Sequence, residues 1–226
     1  MIRHSKSSNY SQWIHIQTFI NYFNLNPDKL VTLGNPIDYS LYYGHTERDL
    51  NKLIFASIPF KGLQILPEIF QELKLKTKNE KLHLDVYSSF KLYNREQENI
   101  KYQDIFRKLN NIKDINLYNS ISMKDLAYKF KQSNLYIHPS TYHETHGRVF
   151  TECMACGCIP VGSDVNGIPV SISDYGFVLE RKDAELAAEL IQKALNASEE
   201  LGNKARQHII KNYPSDQREK LLLRYL

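Results

Sequence analysis

Short apolar segments alternate with amphipathic ones along most of this chain, and that alternation limits the fold more than any other feature does. Strands separated by helical segments pair in parallel, because each crossover returns the chain to the same edge of the sheet. The sequence therefore predicts an α/β fold: a Rossmann-like three-layer domain around a parallel sheet, with extra helices at both ends. The predicted strands cover 52–57, 82–87, 115–118, 135–138, 159–162 and 177–179.

Apolar residues at helical spacing predict the helices that connect these strands. Pro67 lies near the start of one of them and is expected to delay or kink it. A strand is also expected at 30–33 and a loop at 39–51, where no period is visible. The predicted helices cover 12–23, 66–73, 102–109, 123–130, 148–156 and much of the chain after residue 183.

Composition narrows the function classes. The chain has 226 residues, of which 42% are hydrophobic, so it can bury an ample core. Its formal net charge is only +4 and its basic residues are dispersed, which argues against a nucleic-acid binder. No apolar stretch approaches the about 20 residues needed to span a bilayer, and the first residues do not resemble a signal peptide. With three cysteines, a cytoplasmic protein with at most peripheral membrane contact is expected.

Polar residues follow several of the predicted strands. Lys61 follows the first strand, Ser88 and Ser89 the second, Asn119 the third and Glu144 the fourth. Ligands of parallel α/β sheets bind beyond the carboxyl ends of the strands. The sequence therefore predicts a ligand site at that edge.

Two glutamates bracket the start of a predicted helix. If this helix begins near Gly147, the amides of Gly147, Arg148 and Val149 point ahead of it, where they suit a phosphate. Glu152, one turn inside, suits a ribose diol, and Glu144 suits hydroxyl groups beyond the phosphate. The alternative is that Glu144 is a solvated loop residue and Glu152 a surface helix residue.

One segment resembles a known signature. In the donor-binding half of retaining GT-B glycosyltransferases, grouped as glycosyltransferase family 4 or group 1, a glutamate and seven residues precede Glu-Ala-Met-Ala-(Ala/Cys)-Gly. This chain has Glu144, seven residues, then Glu152-Cys153-Met154-Ala155-Cys156-Gly157. Similarity continues through 158–169 and, more loosely, covers 30–38, 57–63 and 115–118.

The resemblance implies a reaction: transfer of a hexose from a nucleoside diphosphate sugar to a hydroxyl acceptor, with anomeric retention. The acceptor is expected to be a glycan or a lipid-linked glycan in polysaccharide assembly. Neither a cofactor nor a metal ion is implied. The domains are expected at 1–29 (an N-terminal helix and linker, remnant of the acceptor domain), 30–182 (the nucleotide-sugar-binding domain) and 183–226 (C-terminal helices).

The resemblance also implies roles for residues. Glu144 would be the catalytic residue that contacts the transferred sugar, and Glu152 would bind the ribose. Lys61 and the amides of Gly147 and Arg148, with Val149 beside them, would hold the diphosphate. Leu117 and Tyr118 would border the base, and His146 could contact the sugar.

The chain departs from the family pattern at several positions. Ala56 replaces an arginine that shares the diphosphate, so Ser57 or Arg148 substitutes for it, or diphosphate binding is weaker. Val170 stands where the family has glutamate, and Asn119 where it commonly has glycine.

No second set of alternating strands precedes residue 30, although a complete enzyme of this family is expected to have two Rossmann-like domains. Three hypotheses follow for the function of the chain. It is an enzyme, a non-catalytic sugar-nucleotide-binding module or truncated fragment, or the donor subunit of a split enzyme with a partner chain.

Two other constellations suggest metals only weakly. The histidines around Glu144 lack the His-Glu-x-x-His spacing of zinc proteases. Cys153, Cys156 and Cys158 lack the second pair of ligands that zinc sites need, so buried core thiols are the preferred interpretation.

Overall fold

A parallel sheet of six strands forms the centre of the computed structural model. The model describes residues 17, 19–30, 35, 37–44, 46–144, 146–180, 183–197, 199–213, 220 and 223. The predicted α/β fold with a parallel sheet is confirmed; of the strand expected at 30–33, residues 31–33 lie outside the described residues. The strands are β1 (Asp49–Ala56), β2 (His83–Tyr87), β3 (Ile115–Tyr118), β4 (Ser133–His138), β5 (Ile159–Ser163) and β6 (Phe177–Leu179). Their order across the sheet is β3-β2-β1-β4-β5-β6.

Helices cover both faces of this sheet. In chain order they are α1 (Leu66–Thr77), α2 (Gln103–Asn110), α3 (Met123–Gln132), α4 (Arg148–Ala155), α5 (Ile168–Ile172), α6 (Ala184–Leu195) and α7 (Glu199–Asn212). Helices α1, α2 and α6 pack on one face, and α3, α4, α5 and α7 on the other. Short 3₁₀ turns lie at Pro27–Lys29, Leu63–Ile65, Lys91–Tyr93, Glu96–Tyr102 and Ser173–Tyr175.

Strand β1 shows why the sheet is buried on both sides. Successive side chains of a strand point to opposite faces, and Leu53 and Phe55 join the core under α1 while Ile54 joins the core under α4. Because both faces of β1 are buried, consecutive residues of the strand must be apolar. Such a run is typical of parallel sheets that are covered by helices on both faces.

Local capping sets several helix boundaries. Ser122 accepts the Asp125 amide at 3.2 Å at the start of α3, and Asp183 accepts the Leu186 amide at 3.0 Å at the start of α6. Pro67 is the second residue of α1, where no intrahelical amide is needed, so it lies in the first turn instead of interrupting the helix.

The region before β1 differs from the prediction of a loop over 39–51. Residues Tyr39–Tyr42 form one helical turn, because Asp38 caps it by accepting the Ser40 amide at 3.1 Å, and 49–51 belong to β1. Of the helix predicted over 12–23, residues 17 and 19–23 are helical, and 12–16 and 18 lie outside the described residues. None of the helices within the described ranges has the length and apolarity needed to cross a membrane.

Candidate functional site

The carboxyl ends of β1 and β4 form a topological switch point. These strands are neighbours, yet the chain leaves β1 toward β2 and leaves β4 toward β5, on opposite sides. The loops that follow them touch: Gly62 has φ +96°, and a Cβ built there would lie 2.6 Å from the Pro139 carbonyl oxygen. Ligands of open α/β sheets bind in the crevice at such a point.

An ion pair joins the same two loops. Lys61 Nζ, after β1, contacts Glu144 Oε1, after β4, and the two side chains are 21% and 15% exposed. The Gly167 amide donates to the Glu144 carbonyl oxygen at 2.8 Å and ties the loop to the start of α5. The fold therefore brings Lys61 and Glu144 together at the predicted edge, partly shielded from water but accessible.

A second ion pair lies within α4. Arg148 Nε donates to Glu152 Oε1 at 2.7 Å, and this hydrogen bond raises the pKa of the guanidinium. Glu152 is only 5% exposed, so its interpretation as a surface helix residue is wrong. The Tyr42 phenol lies beside it; burial, then the charge of Glu152, raises the pKa of Tyr42.

Two of the three amides that the sequence predicts to face a phosphate already have partners within the chain. The Gly147 amide donates to Ser171 Oγ at 3.1 Å, and the Arg148 amide donates to the His146 carbonyl oxygen at 3.0 Å. Gly147, with φ −77° and ψ 83°, is the centre of an inverse γ-turn that closes the second bond. Both donors are therefore engaged within the chain, and a phosphate would have to replace those partners.

Packing within the chain requires a glycine at position 147. A Cβ on Gly147 would lie 2.2 Å from the Phe150 ring, and one on Gly162 of β5 would lie 2.7 Å from the same ring. The Phe150 ring thus occupies space that two glycines leave free. Val149, the next candidate residue, is half-buried against the same core.

His146 is turned toward the interior. Its Nδ1 lies 3.5 Å from Ser171 Oγ, and its ring centroid lies 6.2 Å from that of Tyr213. Nε2 is buried without a hydrogen-bond partner among the described residues, and burial lowers the pKa of the ring. A sugar contact by His146 would therefore require the ring to rotate.

His138 is a buried core residue at the end of β4. Burial lowers its pKa to about 3, so the ring is neutral at physiological pH. Its Nδ1 lies 2.9 Å from the Tyr136 hydroxyl, and the ring stacks on Phe55. These contacts fix the strand end from which the Glu144 loop departs.

The edge predicted to border the base carries an aromatic stack. Tyr118 stacks on Tyr87 with ring centroids 4.9 Å apart, and its ring remains exposed. Leu117 packs into the core of the opposite face, so the two side chains cannot contact the same face of a base. The Ser57 amide donates to the Tyr87 carbonyl oxygen at 3.3 Å, so Ser57 lies beside the end of β2.

A buried carboxylate, which the sequence did not single out, underlies that stack. Asp85 on β2 pairs with Lys52 Nζ at 2.6 Å and accepts from Asn116 Nδ2 at 3.0 Å. The Tyr87 hydroxyl lies 3.5 Å from the same carboxylate. Asp85 thereby links the sheet interior to the exposed ring of Tyr118 through Tyr87.

The three cysteines are free and buried, as predicted. Burial raises the pKa of the Cys153 and Cys156 thiols, which makes them poor nucleophiles. Among the residues that the structure describes, no group of three or more His, Cys, Asp or Glu side chains is placed to hold a metal ion.

A cavity of about 660 Å³ lies at the opposite edge of the sheet, near the first residues of β1, β4 and β5. Its two guanidinium groups are already engaged. Arg48 donates to the carbonyl oxygens of Ser133 and Cys156, and Arg206 donates to the Tyr39 hydroxyl and the Gly44 carbonyl oxygen. The carboxyl edge is therefore the better candidate for a functional site.

Solved structures share this fold at low sequence identity. A glycosyltransferase from Rickettsia africae matches with a TM-score of 0.75 and 16% identity over 95% of this chain and 60% of its own. Anabaena HepE, solved with UDP and glucose, matches with a TM-score of 0.72 and 17% identity over 92% of this chain and 60% of its own. S. aureus TarM, solved with UDP, alpha-GlcNAc-glycerol and Fondaparinux, matches with a TM-score of 0.72 and 19% identity over 93% and 42%. The chain thus spans 60% or less of these structures, and its fold is that of the C-terminal domain of GT-B glycosyltransferases.

Among curated proteins, no sequence matches the chain. A family description does: the model described as "Glycosyl transferases group 1" matches residues 53–215. The matched region contains both loops of the switch point and the two ion pairs. It also contains all six strands, apart from the first residues of β1. The chain therefore belongs to the group 1 glycosyl transferases.

Proposed function

We propose that this chain is the donor half of a retaining hexosyltransferase of glycosyltransferase family 4. It would transfer a hexose from a nucleoside diphosphate sugar to a hydroxyl group of a glycan or lipid-linked acceptor. The observation that carries the proposal is the ion pair between Lys61 and Glu144 at the switch point of the sheet. One cation and one carboxylate there offer complementary partners for a diphosphate and for sugar hydroxyl groups.

Lys61 would act on the leaving group. As the bond between C1 of the hexose and the phosphate oxygen breaks, the acceptor oxygen bonds to C1 on the same face and its proton leaves with the diphosphate. The ammonium group would neutralise the charge that develops on the phosphate. This role requires no metal ion and no cofactor, and Glu144 would orient the hexose through its hydroxyl groups.

Glu152 and Tyr118 would hold the nucleoside. A carboxylate has about four acceptor positions, so Glu152 can keep its bond to Arg148 and still accept from a ribose diol. The exposed ring of Tyr118 offers a stacking surface for a base. Two structural neighbours were solved with UDP, one of them with glucose, so uridine nucleotides are the first donors to test.

The acceptor side of the reaction is also part of the proposal. Since the chain spans 60% or less of its structural neighbours, transfer would depend on an acceptor domain in the same or a partner chain. The expected setting is the cytoplasm, with at most peripheral membrane contact. A binding module without transfer activity is the competing hypothesis.

A thermal-shift panel of UDP-, GDP- and ADP-sugars tests donor binding. A true donor raises the unfolding free energy by about 2.7 kcal/mol at a hundredfold excess over its Kd. We expect the variants Glu144→Ala, Glu152→Ala and Lys61→Met each to reduce that shift. Lys108→Met is the matched control, since it removes an ion pair with Glu68 on the surface, away from the switch point.

Three results would decide among the hypotheses. No shift with any sugar nucleotide would refute the donor site. Equal shifts in the wild type and in both glutamate variants would refute the assignment of its residues. Donor binding without transfer, even with an acceptor domain supplied, would leave the chain a binding module.

A further inference from the structure

Two exposed aromatic rings lie beside the Lys61–Glu144 pair. Phe60 comes from the loop after β1 and Tyr142 from the loop after β4, and their ring centroids are 5.1 Å apart at 58°. Phe60 is 38% exposed and Tyr142 48% exposed. Large rings exposed in contact with each other, at the mouth of a crevice, offer a ligand an apolar surface.

The pair of rings is supported from behind. Phe90, buried after β2, has its ring centroid 6.2 Å from that of Phe60. The Tyr142 amide donates to Ser140 Oγ at 3.0 Å, which fixes the backbone that carries the second ring. Rings that are already held in place lose little conformational entropy when a ligand covers them. The entropic cost of binding is therefore small, and weak contacts with the ligand can offset it.

Charged groups border the rings on one side. Lys61 Nζ lies 5.1 Å from the centroid of the Tyr142 ring while it pairs with Glu144. One surface thus combines apolar ring faces with a cation and a carboxylate. A pyranose has the matching chemistry, since its axial C–H bonds form an apolar face and its hydroxyl groups form a polar rim.

We propose that Phe60 and Tyr142 form a stacking site for a pyranose ring of the acceptor glycan. Phe60 and Tyr142 are 38% and 48% exposed, whereas the side chains of Lys61 and Glu144 are only 21% and 15% exposed. An acceptor that arrives from solvent would therefore reach the two rings more readily than the ion pair that would hold the donor hexose. The assignment to the acceptor rests on the proposed function; the pyranose site itself rests on the rings.

Nuclear magnetic resonance tests the site directly. The chain, labelled with ¹³C in its Phe and Tyr rings, is titrated with methyl α-glucopyranoside, methyl α-mannopyranoside and methyl β-galactopyranoside at millimolar concentrations. We expect at least one of them to shift the ring signals of Phe60 and Tyr142. The signals of Tyr128, an exposed tyrosine on α3, should remain in place.

Variants separate this site from the donor site. Phe60→Ala and Tyr142→Ala should each weaken pyranoside binding by about five- to tenfold, as expected for the loss of one aromatic contact. Phe60→Ala should leave the affinity for UDP unchanged, while Tyr128→Ala should alter neither affinity. Tyr142→Ala also removes the ring beside Lys61, so it should change the affinity for UDP less than Lys61→Met does. Lys61→Met should weaken UDP binding much more than pyranoside binding.

A competition arm distinguishes the acceptor from the donor hexose. The pyranoside should still bind when UDP-glucose saturates the protein; displacement by UDP-glucose but not by UDP would overturn the acceptor assignment. Unmoved ring signals with all three glycosides, or unchanged affinity in both variants, would overturn the site while donor binding stands. If no sugar nucleotide binds the wild type, the proposed function and the acceptor assignment fail together, and pyranoside binding would still establish the stacking site.

Discussion

Each of the two ion pairs of the site joins a basic side chain to a glutamate, but the pairs differ in which parts of the chain supply their partners. Arg148 and Glu152 lie four residues apart on one helix, and the carboxylate is buried while half of the arginine side chain is exposed. Lys61 and Glu144 come from loops that follow different strands, and both remain partly accessible. The first pair forms whenever α4 forms, whereas the second exists only when the sheet has brought β1 and β4 together.

This difference suggests that the two ion pairs have different roles, one structural and one that responds to ligands. A carboxylate that is buried and held by its own helix is preorganised and contributes to stability, but it can move little. A pair that bridges two loops can open, because each partner belongs to a separate segment and water reaches both. We therefore expect ligands to perturb the Lys61–Glu144 pair and to leave the Arg148–Glu152 pair largely in place.

Gly62→Ala should have the largest effect, because it separates the two loops on which the bridging pair depends. The new Cβ would be placed 2.6 Å from the Pro139 carbonyl oxygen at φ +96°. Left-handed strain and overpacking together should lower the unfolding free energy by about 3 kcal/mol, measured by urea denaturation.

Gly44→Ala is the matched control for that substitution. Gly44 has φ +95°, but among the described residues its Cβ would meet only Lys131 Nζ, at 3.9 Å. It should therefore lose only the conformational term of about 1–2 kcal/mol. Equal losses in the two variants would show that contact between the loops contributes nothing.

Removing each glutamate in turn tests whether the Arg148–Glu152 pair contributes more to stability than the Lys61–Glu144 pair does. Glu152→Ala should lower the unfolding free energy by about 2 kcal/mol, since a buried charge-assisted hydrogen bond is lost. Glu144→Ala should cost less than about 1 kcal/mol, as for a partly exposed ion pair. Chemical denaturation of both variants makes the comparison, and a larger loss for Glu144→Ala would reverse the roles assigned above.

Short apolar segments in the sequence are sufficient to predict several strands. Ile115–Tyr118 and Phe177–Leu179 have the predicted bounds. Ile168–Ile172 was missed, because five residues are too few to show a helical period. The turn at Tyr39–Tyr42 was missed as well, since it depends on one capping side chain, Asp38.

The site was only partly predictable, because its decisive contacts join residues far apart in sequence. The convergence of Lys61 and Glu144 follows from the sheet order, and their positions after strands indicated it. The partner of the Gly147 amide did not follow from any local pattern, since Ser171 lies 24 residues further along the chain. Nor does spacing within α4 reveal that Tyr42 lies beside Glu152.

Ser171→Ala should destabilise the loop between the two pairs. Ser171 Oγ accepts the Gly147 amide and donates to the Gly167 carbonyl oxygen at 2.9 Å, so the variant leaves a buried amide without its acceptor. We expect a loss of about 1.5 kcal/mol in unfolding free energy and faster hydrogen exchange at Gly147. Ser171→Thr keeps the hydroxyl group and serves as the control; unchanged exchange at Gly147 in the alanine variant would contradict the predicted bond.

The coupling energy of the bridging pair should be the smallest of these effects and the most informative about its openness. A double-mutant cycle with Lys61→Met and Glu144→Gln should give about 1 kcal/mol at low salt, because both partners are only partly shielded from water. The cycle for Lys108 and Glu68, whose side chains are about half exposed, should show no measurable coupling. Added salt should reduce the first coupling, since mobile ions reach an accessible pair. A coupling that does not respond to salt would mean that the Lys61–Glu144 pair is closed to solvent, and the contrast with the Arg148–Glu152 pair would then disappear.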